Sequence, residues 1–138
     1  MRALVQRVSR ASVSVGGERV AAIGPGLLVL LGITHDDGPE QADRLADKVR
    51  ALRVFADADG RMNEPLGDRQ ALCVSQFTLY GDATRGNRPS YVAAARPEHA
   101  EPLYARFCAR LGAARGRFGA RMEVELVNDG PVTLLLEL

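Results

Sequence analysis

The stretch that decides the fold is the last one, LVNDGPVTLLLEL, residues 126–138. Asn128, Asp129 and Gly130 are turn formers set between two apolar runs, so the local pattern predicts a β-hairpin with arms at 122–127 and 132–138. Pro131 follows at once. It has no N–H to give to a ladder, so the turn is either awkward or a piece of working surface. The second arm is apolar to its end, and such a strand needs a helix or another subunit to cover it.

Working back from that end, the chain carries only two helical patterns. Residues 39–52 hold Ala42, Leu45, Ala46, Val49 and Leu52 at helical spacing, with Pro39 at the first helical position and Asp43, Arg44, Asp47 and Lys48 turned to water. A second pattern starts near Glu98 or Glu101 and runs to Gly112. Its stripe is Ala100, Leu103, Tyr104, Phe107, Cys108 and Leu111, and Pro102 suits its first turn. The rest reads as strands. Residues 2–9 and 11–15 read as two strands, 19–23 as a short one, and 27–33 as a central strand covered on both faces. Val54-Phe55 begins another, Asp57 to Gly60 turns, and 70–76 is apolar again. Many strands with two helices predict a mixed α/β fold: mostly antiparallel sheet, both helices on one face, in one domain spanning 1–138.

Composition narrows the function. At 138 residues, 46 % hydrophobic and 25 % charged, the chain can bury a core, but with no Trp and 5 % aromatics that core is Leu, Val and Ala. The net charge of +1 gives no global attraction to nucleic acid or membrane. Lys48 is the only lysine, so any phosphate would be met by clustered arginines. Cys73 and Cys108 lie in apolar stretches and read as buried free thiols, which suits a reducing cytosol. The start, MRALVQRVSR, is too charged for a signal peptide, and the apolar run 27–33 is too short to span a bilayer. No metal-ligand spacing is present; His35 and His99 read as loop and helix-surface residues.

One internal segment stands out, CVSQFTLYGDATRGNRPSY, residues 73–91. An apolar strand ends on Ser75-Gln76-Phe77-Thr78 and passes into a loop with Arg85 and Arg88. Strand ends that open into loops are where a rigid scaffold presents functional groups. Both arginines are candidates for phosphate.

Three blocks in series resemble the D-aminoacyl-tRNA deacylases of the bacterial and eukaryotic form. They are MRALVQRVSRASVSVGGERVAAIGPGLLVLLGI, SQFTLYGDATRGNRPSY and FGARMEVELVNDGPVT, with LADKVRALRVF and GRMN between them. The resemblance implies a cytoplasmic homodimeric hydrolase without metal or cofactor. Its substrate would be aminoacyl-tRNA carrying a D-amino acid or mischarged glycine. It implies a reaction centre at Ser75, Gln76, Phe77 and Thr78. It implies a substrate pocket completed by Gly130 and Pro131, joined by a cis bond and inserted into the partner subunit, with Met122 at the family's spacing as a lining residue. Arg85 and Arg88 match its tRNA-binding loop, thinned here by Ala83, Thr84 and Asn87, and the stretch 64–71 is shorter than is usual in the family. Two other readings remain: a tRNA-binding module without catalysis, and a related deacylase for wrong L-alanyl-tRNA, whose members replace SQFT and hold the Gly-Pro bond trans.

The chemistry needs little. An aminoacyl ester is already activated, so water, helped by the adenosine 2′-hydroxyl, needs oxyanion donors near Gln76 to Thr78. Thr78 has no His or Lys in its motif to make it a nucleophile.

Overall fold

The computed structural model describes all residues, 1–138. The chain runs β1 (Arg2–Val15), β2 (Glu18–Ile23), β3 (Gly26–Gly32), α1 (Pro39–Ala51), β4 (Phe55–Ala56), β5 (Met62–Glu64) and β6 (Gln70–Ser75). A 3₁₀ turn (Phe77–Tyr80), α2 (Pro97–Leu111), β7 (Ala114–Arg115) and β8 (Glu123–Glu137) follow.

β1 organises the molecule. Its first half pairs antiparallel with β3, its second half with β2 on that same edge, and β8 runs antiparallel along the other edge for nearly its whole length. β6 and β7 extend the sheet in parallel beyond β3. Residues 2–9 and 11–15 are therefore one strand rather than two, because β8 pairs across both segments and irregularities near Arg7 and Ser9 absorb the change of face. Below that change Ala3 and Val5 face the helices; above it Ala11 and Val13 face the opposite core.

The sheet thus curls until β2 touches β6 and β7, nearly closing on itself. One core lies between the sheet and both helices, with Val5, Val29, Leu31 and Cys73 meeting Leu45, Val49, Phe107 and Leu111. A smaller one fills the inside of the curl, where Val13, Leu28, Leu72 and Val74 meet Val8, Ala11 and Ile23. The two-sided burial of β3 explains its unbroken apolar run. The mixed, mostly antiparallel sheet with two helices on one face is the architecture that the residue pattern predicts.

The helices follow their local rules. Gly38 donates its N–H to Gln41 Oε1 at 2.8 Å ahead of Pro39. α2 begins at Pro97, one residue ahead of Glu98, the earlier of the two starts that the spacing allows, so Pro97 and not Pro102 occupies the first turn; Pro102 lies inside the helix. Gly112 ends α2 with φ 72°, the left-handed conformation that favours glycine, and Ala113 N–H returns to Cys108 O at 2.9 Å. Between the helices Arg106 pairs with Asp43 and Arg110 with Asp47.

The terminal hairpin does not form. Glu123–Glu137 is one strand, and β1 supplies its partner throughout. Gln6 faces Thr133 and Val8 faces Asn128, so residues 129–132 stand opposite Arg7 alone and bulge out of the ladder. Pro131 cannot donate to the ladder and sits in that bulge, where the Gly130–Pro131 peptide is cis. Arg7 and Asn128 hold the base. Arg7 Nε donates to Asp129 O at 2.9 Å and its Nη1 to Val54 O at 2.5 Å; Asn128 Nδ2 donates to Arg7 O and Val132 O at 3.0 and 3.2 Å. Only Val132 turns inward, while Gly130 and Pro131 are exposed.

Candidate active site

At the C-terminal end of β6 the chain must leave the sheet. Gln76 N–H still donates to Leu31 O at 2.8 Å, the last bond of the parallel ladder, and the chain then winds into the 3₁₀ turn. The first N–H groups of such a turn have no acceptor within it. Those groups belong to Phe77 and Thr78, so two adjacent amide donors stand at the strand end. Leu79 N–H and Gly81 N–H close the turn on Gln76 O and Thr78 O at 3.2 and 2.9 Å.

The turn is clamped from outside. Arg2 Nη1 donates to Leu79 O at 2.8 Å, and its guanidinium lies 4.4 Å from the centroid of the Tyr80 ring. Burial, with Asp37 nearby, pushes the Tyr80 hydroxyl up to about 12, so it stays neutral. Phe77 and Tyr91 meet edge to face with centroids 5.2 Å apart. An added Cβ on Gly81 would come within 2.8 Å of the Tyr91 ring and 2.9 Å of Thr78 O, which explains a glycine between them.

Beside this strand end lies a cavity of about 540 Å³ with a mostly apolar lining. Ser75, Gln76 and Phe77 form one wall. Ala94, Ala95, Pro97 and Ala100, leading into and along α2, form a second, and Phe118, Gly119, Ala120 and Met122, leading into β8, a third. The approach to α2 is tied to β3: Thr34 Oγ1 donates to Ala93 O at 2.5 Å, Ala95 N–H donates to Ile33 O at 2.9 Å, and His35 Nε2 lies 2.6 Å from Val92 O.

Four of the residues singled out from the sequence, Ser75, Gln76, Phe77 and Met122, therefore line one cavity. Met122 also packs on the inner core, so its lining and structural roles coincide; Gly116 leaves room for its sulfur. Thr78 is outside the lining, and its Oγ1 accepts from Gln76 Nε2 at 2.5 Å. Gly130 and Pro131 are not at the cavity of their own chain. Arg85 and Arg88 are exposed on the loop closed by the paired bonds of Asp82 and Ser90, each 2.8 Å, and do not line the cavity either. The walls at 94–100 and 118–120 were missed as site residues. They are mainly Ala, Gly and Pro, which carry no chemical signature, although Phe118-Gly119-Ala120 opens the third family block.

The remaining reactive groups are engaged elsewhere. Cys73 is fully buried, which pushes its thiol up, and Cys108 lies beside it in the same core. His99 Nε2 is 2.7 Å from Asp37 O. No three His, Cys, Asp or Glu residues are grouped so as to hold a metal ion, and no helix is long and apolar enough to cross a membrane.

A curled sheet with two helices on one face and an apolar cavity at a strand end defines a small mixed α/β scaffold with one candidate site. Comparison with known proteins gives the family. The model of the family described as D-Tyr-tRNA(Tyr) deacylase matches residues 4–137. A D-aminoacyl-tRNA deacylase of Symbiobacterium thermophilum is 58 % identical, the alignment covering 99 % of this chain and 95 % of that one. A solved structure titled c-Myc DNA Unwinding Element Binding Protein superposes with a TM-score of 0.94 at 42 % identity, covering 100 % and 99 % of the two chains. A probable eukaryotic D-amino acid tRNA deacylase shares the fold, with a TM-score of 0.85 at 16 % identity over 99 % of this chain and 98 % of that one. The chain belongs to the D-aminoacyl-tRNA deacylases, a family of hydrolases.

Proposed function

We propose that this protein is a cytoplasmic chiral proofreader. It hydrolyses the ester joining a D-amino acid, or mischarged glycine, to the terminal adenosine of tRNA, and it spares L-aminoacyl-tRNA. The observation that carries this reading is the strand end Ser75-Gln76-Phe77 on the wall of an apolar cavity, passing directly into a turn that leaves the Phe77 and Thr78 amides without an acceptor. Such donors suit the oxyanion that forms when water attacks an already activated ester; one of them is commonly worth about 10²–10³ in rate. No cofactor is needed for that step.

Chirality must be read at the α-carbon whatever side chain is attached, and backbone groups suit that task. Gly130 and Pro131 are exposed on a bulge away from their own chain's cavity. In the proposed homodimer each chain inserts this bulge into the pocket of the other. There it forms a wall where an L side chain would project, and glycine, having none, passes. The apolar residues Val127, Leu134 and Leu135, exposed on the same strand, are suited to a subunit contact.

Paired hydrolysis of D-tyrosyl-tRNA and L-tyrosyl-tRNA, with and without chelator, tests the reading. Rapid loss of the D ester alone, unchanged by chelator, is the expected result. If neither ester is lost faster than in buffer, the chain is a binding module; loss of L-alanyl-tRNA instead would mark the related specificity.

A further inference from the structure

The arginines expected to meet tRNA, Arg85 and Arg88, lie on a loop that does not reach the cavity lining. An apolar cavity can take the amino acid, sugar and base of the terminal nucleotide, but the phosphate that precedes it must stay at the rim, since burying that charge without a partner is prohibitive. Cations flank the lining residues along the chain. Three arginines, and no lysine, adjoin a lining residue in the chain: Arg96, between Ala95 and Pro97, and Arg117 and Arg121, which bracket Phe118-Gly119-Ala120. All three are exposed. None has a carboxylate partner, in contrast to Arg2, Arg7, Arg10, Arg106 and Arg110, whose side chains pair with acids. Arg117 and Arg121 are held apart by a turn in which Ala120 N–H returns to Arg117 O at 3.2 Å, and Arg96 stands at the start of α2, whose dipole adds to its charge. Of the acids that follow on β8, Glu125 is already paired with Arg10 at 3.0 Å.

We infer that Arg96, Arg117 and Arg121 form the phosphate-binding rim for the single-stranded 3′ end of the RNA, a site distinct from the Arg85–Arg88 loop. The inference deepens the function proposed above and rests on it. Three neutralised phosphates of a single strand predict that log K against log salt flattens by about 2, from a slope of about 0.7 per contact.

The test compares R96Q/R117Q/R121Q with R85Q/R88Q and the unaltered protein. Binding of an uncharged CCA-ended RNA oligonucleotide is followed by fluorescence anisotropy across a salt series. In parallel, kcat/KM is measured on D-tyrosyl-tRNA and on D-tyrosyl-adenosine, which lacks phosphate. The rim variant is expected to flatten the salt slope by about 2, and to lower the ratio of kcat/KM on tRNA to that on the adenosine ester at least tenfold. An unchanged slope and ratio would overturn the inference, as would a full loss produced by the Arg85/Arg88 variant alone. If the unaltered protein cleaves neither ester, the function proposed above fails, while the salt slope still decides the rim. Single variants R117Q and R121Q, each expected to remove one contact, give the same decision should the triple variant fold poorly.

Discussion

Gln76 Nε2 donates a 2.5 Å hydrogen bond to Thr78 Oγ1, two residues further along the turn. The hydroxyl oxygen of the motif's threonine thus accepts from an amide instead of facing a base. His35 and His99 are each bonded to a backbone carbonyl elsewhere. A nucleophile needs a base or a lowered pKa, and Thr78 is given neither. Its amide, at the start of the turn, is the group on which the proposed mechanism draws.

Thr78→Val therefore keeps deacylation of D-tyrosyl-tRNA within about tenfold of the unaltered protein, because the backbone donor survives the change. Loss of a covalent nucleophile in a hydrolase costs on the order of 10⁶ in kcat. Single-turnover rates of the variant separate the two cases, and a collapse of that size would restore Thr78 as nucleophile.

Arg7 is predicted to govern the shape of the 129–132 bulge. It is the residue opposite the bulge, it is largely buried, and it joins Asp129 O and the Asp129 carboxylate to Val54 O. Arg7→Met keeps the packing of the stem and removes the fork. Hydrogen bonds from a charged donor contribute about 1.5–3 kcal/mol, so a fall in stability of that order is expected by denaturant titration. Deacylation of the D ester should fall at least as far. Lys at this position rescues little, since a single ammonium cannot reproduce the planar fork. Full activity in Arg7→Met would show that the bulge holds its shape without it.

The helix–helix ion pairs give a pH prediction. The hydrogen bond from Arg106 holds the Asp43 carboxyl below the usual carboxylate range, and that from Arg110 does the same for Asp47. A depressed folded-state pKa adds stability above the unfolded value, near 4, and that stability is lost as pH falls through the folded pKa. Asp43→Asn with Asp47→Asn should leave a smaller acid dependence of Tm below about pH 4, and only a small change at pH 7, since both pairs lie at the surface. An acid limb as steep as in the unaltered protein would mean that other carboxylates set it.

Much of this architecture can be read from the residues because it obeys local rules. Pro39 and the spacing of Ala42, Leu45, Ala46 and Val49 define α1, and the unbroken run of β3 reports burial on two faces. The final strand resisted the same reading. Asn128-Asp129-Gly130 has turn chemistry, but whether it turns or bulges is decided by β1, which lies more than a hundred residues away and pairs both arms. The residue pattern leaves the start of α2 open between Glu98 and Glu101 because the apolar stripe begins only at Ala100, while Pro97 and the backbone of Arg96 set it. The cavity divides in the same way. Ser75, Gln76 and Phe77 announce themselves as a motif, whereas Ala94, Ala95 and Ala100 contribute only the space that small side chains leave.

The exposed bulge and the cavity lie apart in one chain, and this separation yields the most direct test of a shared pocket. An added Cβ at Gly130 would lie 2.6 Å from Asn128 Oδ1, and Asn128 is anchored through both Nδ2 bonds, so Gly130→Ala displaces the bulge. Phe77→Ala alters the cavity lip and leaves the bulge intact. Each variant alone is expected to be inactive and, by sedimentation, dimeric. Unfolded together and refolded at equal concentration, half of the dimers are mixed. In a mixed dimer one pocket has both an intact lip and an intact bulge, so about a quarter of the unaltered activity should return in a closed twofold assembly. If the pocket were complete within one chain, every pocket in the mixture would carry one defect or the other, and no activity would return.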